Sequence, residues 1–455
     1  MRNTKILQFL QALPEKQVKQ LSRALRKGHA KDSIPAILLN YFVGLYPFDQ
    51  SEEEKEAIRL EKQIDPLDKD FVIREVLHNE VKASTRTRVS KELYKLYEEA
   101  MKYFLDIHLK EKKILKAELE LEVLRKLKMD ELFYGQADDL RKELLKVPDC
   151  ADKYLRLTHL ENSVYHYCPT EKITDDLTEL TQYNRYLEAY YRIGKWKYLG
   201  EAANRKNILS KELVPDHAFT TITDQSDFSP PEGYELLKEL YQGIYHLSSG
   251  VNPDTYHVMK KLLWEQYPYF IEEDRLILLS HLINFASKNI VKGIENSTAE
   301  VYELYRFGAK HRILLESNFI VADNFRNAVS VACAMKDFSW ARQFIEEYKI
   351  HLPESIRDSV KALALARIDF GEENYLKVLD LEHPDYEQQG AGNKLIARIL
   401  LVQSYYELGV DYKPTLISKI KSFESFFNRK KTYHEDSVTS ILNFLRLLKV
   451  IIRDN

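Results

Sequence analysis

The chain has 455 residues, 44% of them hydrophobic and 30% charged, and its 67 basic against 70 acidic side chains leave a net charge of −3. Glycine and proline number 14 each, roughly half their usual joint share. So few breakers argue against a sheet-rich fold, which needs turn chemistry about every 8–12 residues, and against a large α/β enzyme with glycines at its strand-to-helix turns. The ample apolar content and near-balanced charge argue against disorder.

Three cysteines, Cys150, Cys168 and Cys333, are too few and too far apart for a disulfide scaffold, and they fit a reducing compartment. The opening MRNTKILQFLQALPEKQ reads as an amphipathic helix, because Gln8 and Gln11 interrupt its apolar run and no small-residue cleavage site follows. No stretch approaches the 18 or so apolar residues of a membrane helix. These features predict a cytoplasmic protein without membrane insertion. The 29 tyrosines suit half-buried positions between helices and at recognition surfaces, since tyrosine joins an apolar body to a wet hydroxyl.

Along the chain, helical periodicity dominates. Ile6, Phe9, Leu10 and Leu13 predict a first helix. Pro14 opens a second with the stripe Val18, Leu21 and Leu25, which Gly28 ends. Ile34 to Tyr46 is predicted as a third, stopped at Pro47. Ser51 and Glu54 have the spacing of a capping box. Asp68 to Val81 is predicted as a further helix, and a long one starts near Arg88. Residues 1–110 read together as a helical cap domain. Beyond them, breaks recur about every 20 residues, near Met129, Val147, Pro169, Gly194, Gly250, Pro268, Gly293, Asn318, Asp337, Pro353, Gly371, Pro384 and Gly409. A helix pair repeating about every 35–40 residues is the mark of an α-solenoid, in which no pair buries both its faces alone. The predicted segments are 111–212 and 234–455. Between them lies an irregular insertion or hinge, 213–233, with three prolines and little helical period.

Several units resemble tetratricopeptide (TPR) repeats. Ala189-Tyr190-Tyr191-Arg192-Ile193-Gly194-Lys195-Trp196 is similar to the end of helix A and the turn of one unit. Lys336-Asp337-Phe338-Ser339-Trp340-Ala341 is similar to the turn of another, with Ala341 as the small residue of helix B, Phe325 as the opening aromatic and Pro353 as the closing proline. Tyr405 and Gly409 fit a later unit. Leu199, standing where the first unit should have alanine, departs from the pattern. The resemblance implies an all-α fold, a superhelix of TPR-like pairs, and a groove that binds a peptide or helix. It places Thr181, Asn184, Glu188 and Tyr191 of one unit, and Asp323, Arg326, Ser330 and Cys333 of the other, on the groove-facing side of helix A. The segments FLQALPEKQVKQLSRALR, LYKLYEEAMKYFL and SVTSILNFLRLLKVI also resemble all-helical proteins of Bacteroidota, a likeness that implies no activity.

Candidate chemistry is sparse. His159, His166 and Cys168 are spaced seven and two apart, and positions two apart do not share a helix face. Packing histidines are therefore expected there, with no metal and no cofactor. Gly390-Ala391-Gly392-Asn393-Lys394 lacks the preceding strand and longer glycine spacing of a phosphate loop and reads as a connector. No nucleophile motif occurs, so a non-catalytic interaction scaffold is the leading expectation. Near the start, Lys16, Lys19, Arg23 and Lys27 follow helical spacing, and residues 1–50 hold eight basic and three acidic side chains. This basic face suits nucleic acid, in an alternative reading as a nucleic-acid-associated regulator, or else a solvated surface paired with SEEEKE. An enzyme with an unrecognised site in the groove is the third reading.

Overall fold

The computed structural model describes residues 1, 3–45, 65–167, 177–209, 229–250, 254–382, 391–429 and 435–454. Pro47, the predicted capping box at Ser51 and Glu54, Cys168, Pro169, most of 213–233, Pro384 and Gly390 lie outside these residues. The fold is all-α, with sequential helices packed pairwise in a helical-repeat arrangement. The chain divides into two compact units, Met1–Glu143 and Leu144–Asn455.

In the first unit, α1 (Lys5–Gln11), α2 (Glu15–Arg26) and α3 (Ile34–Gly44) pack on the long α5 (Ala83–Glu111). Their stripes meet in one core of Ile6, Leu10, Val18, Leu21, Leu38, Phe42, Val89 and Leu96. Each such side chain is worth roughly 1.5–3 kcal/mol when fully buried. The helix predicted over 68–81 is shorter. Asp68 caps α4 (Lys69–Phe71), accepting from the amides of Asp70 and Phe71 at 3.0 Å, and the chain continues as a π-turn over Val72–Val76. His78 then adopts φ 51°, and the Asn79 amide closes on the Ile73 carbonyl at 3.0 Å, the bonding of a left-handed helix stop. In α6 (Lys113–Leu127) the apolar residues divide between core and surface. Leu121 is buried, but Leu119, Val123 and Leu127 are exposed. The division between the units falls within α7 (Asp130–Lys146).

The second unit continues with α8 (Ala151–Tyr167), α9 (Thr178–Leu209), α10 (Tyr234–Ser249), α11 (Thr255–Gln266), α12 (Glu272–Val291) and α13 (Ser297–Lys310). After α13, β1 (Leu315–Glu316) and β2 (Phe319–Ile320) pair antiparallel. Ser317 and Asn318 turn between them at φ 48° and 69°, the primed geometry that suits a two-residue hairpin. Then come α14 (Ala322–Ala334), α15 (Phe338–Tyr348), α16 (Glu354–Gly371), the short α17 (Tyr375–Val378), α18 (Ala391–Glu407), α19 (Lys413–Arg429) and α20 (Glu435–Asp454). Most predicted breaks within the described residues fall between helices. Gly250 and Gly293, at φ 68° and 71°, end α10 and α12 where a side chain would be strained, and Pro353 precedes α16.

Gly194 is the exception. The predicted turn there does not exist, because α9 runs unbroken over 32 residues. Tyr186, Ala189, Ile193, Trp196 and Gly200 keep alternating 3- and 4-residue spacing straight through it, a continuous stripe of one helix face. A Cβ on Gly200 would lie 2.9 Å from Ile244 Cγ2, so α9 and α10 pack closely there. The two helices are parallel: Arg185, early in α9, donates to the Ser229 and Pro230 carbonyls at 3.0 and 2.6 Å, while Gly200 meets Ile244. A hairpin of the TPR kind is thus absent at this point.

Beyond α9, corresponding helices of successive pairs also run parallel, and contacts along a given pair recur at similar offsets. Between α10 and α12, Tyr241 meets Asp274 and Ser248 meets His281, both 33 residues apart. Between α11 and α13, and just past their ends, Tyr256–Glu300 and Tyr267–His311 are 44 apart. Between α13 and α15, Ala309–Tyr348 and Arg312–His351 are 39 apart.

The continuity of α9 is testable. Gly194 has no neighbour within 4 Å of where a Cβ would stand. Gly194→Ala is therefore expected to raise unfolding stability by about 0.5–1 kcal/mol, as alanine does for glycine inside a helix. A urea titration checks it; destabilisation would show that Gly194 occupies a turn after all.

Candidate functional site

A cleft of about 500 Å³ lies between α11, α13 and α15. Each helix contributes one face, since side chains three and four residues apart stand side by side. Trp264 comes from α11; Glu303, Arg306, Phe307 and Lys310 from α13; Trp340, Gln343, Phe344, Glu347 and Tyr348 from α15.

The walls are stacked rings. Trp264 lies on Phe307 with centroids 4.1 Å apart. Trp340 stacks on Phe344 at 5.2 Å, and Phe344 on Tyr348 at 4.6 Å. Polar groups fix these rings in place. Lys260 sits over Trp264, 5.4 Å from its centroid, and its ammonium donates to Glu300 and Glu303 at 2.6 Å each. The Tyr348 hydroxyl donates to the Ala309 carbonyl at 2.6 Å, tying α15 to α13. Asp337 has two tasks. It accepts from the Trp340 amide at 3.0 Å, capping α15, and from the Tyr302 hydroxyl at 2.6 Å. The Tyr302 bond, then the amide bond, hold the Asp337 carboxyl below its usual range. Burial and the same bond push Tyr302 up to about 12. The cleft thus offers pre-ordered apolar walls with an amide and charges of both signs at the edge, which is recognition chemistry.

The predicted site residues lie elsewhere. Thr181, Asn184, Glu188 and Tyr191 share a face of α9. Tyr191 is exposed with Lys195 over its ring at 4.8 Å, and Glu188 accepts from Arg192 at 2.7 Å. On α14, Asp323 is exposed and Arg326 donates to both Asp323 and Asn393. Asn393, from the former phosphate-loop candidate, is buried and engaged in that bond. Ser330 is half-buried, and Cys333 is buried near Gly371, with burial pushing its thiol up to about 11. Cys333 therefore lines no open surface. Lys16, Lys19 and Arg23 of α2 and Lys27 at its C-terminal cap are exposed, with Lys19 paired to Glu15. His159 and His166 are exposed, and no group of three or more His, Cys, Asp or Glu placed to hold a metal occurs among the described residues. No described helix is long and apolar enough to cross a membrane.

Sequence reasoning missed the cleft, although two of the chain's three tryptophans line it. Comparison of the chain with protein-family models, with curated proteins and with solved structures finds no match.

Asp337→Ala tests how the cleft is held. Losing the cap and stranding the Tyr302 hydroxyl is expected to cost about 1–3 kcal/mol at pH 7. Because the folded-state pKa is depressed, this stabilisation is full above the unfolded value of about 3.9 and is lost as pH falls through the folded one. Urea titrations of both proteins should show the difference shrinking below about pH 4. A difference that stays constant down to pH 2.5 would rule out the carboxylate as its source.

Proposed function

We propose that the protein is a non-catalytic interaction scaffold that docks a peptide or helix of a protein partner in the cleft between α11, α13 and α15. The observation that carries this reading is the pair of ordered ring stacks facing one concavity. Tryptophan and tyrosine held in place before binding lose little entropy on contact, and they dominate binding energy at protein interfaces. The α14–α15 pair supports a TPR-like identity for this part of the array. Phe325 is buried at its opening, Lys336 and Asp337 form the turn, and Ala341 is fully buried where the helices approach. Within this reading, Tyr191 on α9 is the best second contact among the residues first expected to bind, since its ring is half-exposed.

Selection of a displayed random-peptide library on the full chain tests the proposal. Selected peptides are expected to bind at least tenfold more weakly to Trp340→Ala and to the surface variant Lys310→Glu. A library that yields no binder, or binders indifferent to both changes, would contradict it.

A second role rests on a separate observation. Lys16, Arg23 and Lys27 stand exposed along α2, and such a stripe attracts phosphates. Duplex or single-stranded DNA should then shift in a gel with the full chain at about 20 mM salt and be released by 200 mM. Absence of a shift at low salt would end this reading.

A further inference from the structure

A second cavity, of about 250 Å³, lies between α9, α10 and α12. It differs in character from the aromatic cleft. Asn204, Asn284, Ser287 and Lys288 line it, and none of these four side chains makes a hydrogen bond or ion pair to a described residue. His281 also lines it, although only 6% of the residue is exposed. Its Nδ1 lies 3.0 Å from Ser248 Oγ, and its other ring nitrogen has no partner among the described residues. Burial pushes His281 down to about 4, against the field of Glu201, so its ring is neutral near pH 7. Glu201 itself is engaged by Arg205 at 2.6 Å.

These four side chains are half-buried, so their polar ends are left for water or a ligand to satisfy. The backbone does not account for them. At the end of α12 the carbonyls of Lys288, Asn289 and Ile290 already accept from the amides of Lys292, Ile294 and Gly293 at 2.9–3.1 Å. The side chains therefore remain available. Their chemistry is one-sided: the lining includes the ammonium of Lys288 and two amides, but no carboxylate. Leu247 and Phe285 supply an apolar wall. A cavity of about 150 Å³ holds benzene, so this larger space admits a single ring bearing a small polar group.

We propose that this pocket binds a small organic carboxylate, its anionic group on Lys288 and the amides of Asn204 and Asn284, its apolar body against Leu247 and Phe285. The unpaired ring nitrogen of His281 reads a further polar atom of the ligand. Size and charge together select a monoanion with a flat or branched apolar part. A dianion would leave its second charge without a cationic partner in the lining. This proposal is independent of the aromatic cleft and of any protein partner.

Benzoate and benzamide form a matched pair of probes, equal in size and differing in charge. Isothermal titration of the full chain, with ring-nitrogen NMR of the histidines, tests the site. Benzoate is expected to bind saturably below 10 mM and to shift the His281 signals. Benzamide should bind at least tenfold more weakly, and Lys288→Met should weaken benzoate at least tenfold. Lys261→Met, on an exposed face outside the pocket, should leave it unchanged. No saturable benzoate binding at 10 mM, equal binding of benzamide, or indifference to Lys288→Met would each overturn the proposal. The benzoate–benzamide comparison on the unaltered chain decides the matter even if Lys288→Met does not fold.

Discussion

Tyr241 on α10 and Tyr256 on α11 are buried, and both hydroxyls find their acceptors on the next helix pair, Asp274 and Glu300. A buried phenol without a partner costs roughly 1–3 kcal/mol. The pair α10–α11 therefore cannot satisfy its own interior. It needs α12 and α13 at one register, 33 residues along on one row and 44 on the other. Apolar burial alone would tolerate sliding of one helix along another; these directional bonds do not. Asp274 shows the tension in this solution. One of its oxygens accepts from Tyr241 while the other is buried without a partner, and burial raises its carboxyl above the usual range. A buried acid of this kind adds little net stability and is better understood as fixing register.

The same parallel stacking of corresponding helices creates both concavities. The row α11, α13 and α15 places a ring stack at each step, and the aromatic cleft opens between them. The second cavity lies among α9, α10 and α12, with Asn204 one helical turn beyond the close approach at Gly200. An apolar, ring-lined surface suits a protein segment, whereas a small polar pocket suits a compact ion. One repeat geometry thus supplies two distinct kinds of binding chemistry.

Much of the fold was legible because its stops are local. Gly250, Gly293 and Pro353 end or precede helices for reasons contained within a few residues, namely positive φ or a missing amide hydrogen. Gly194 misled because a glycine followed by lysine and tryptophan has the look of a repeat turn. What overrides it is the unbroken stripe from Tyr186 to Gly200 packed along a parallel neighbour, which is a tertiary fact. His78 ends its helix in the left-handed region without a glycine to signal it. The binding surfaces were hidden for a related reason. Trp264, Phe307 and Trp340 are 43 and 33 residues apart, and only stacking of successive pairs brings their rings together. The same holds for Asn204, Ser248 and Lys288. Cys333, which the family register places toward the groove, is buried where α16 approaches near Gly371.

Zero-length coupling with a carbodiimide tests the stacked register most directly, because it joins an amine to a carboxylate only where they touch. Lys197–Glu273, Lys260–Glu300, Lys419–Glu382 and Lys449–Glu424 stand 2.5–2.6 Å apart. Mass spectrometry of the coupled monomer should recover these four links. Their absence, together with links from Lys260 to carboxylates beyond α13, would contradict the register on which the cleft and the pocket both depend.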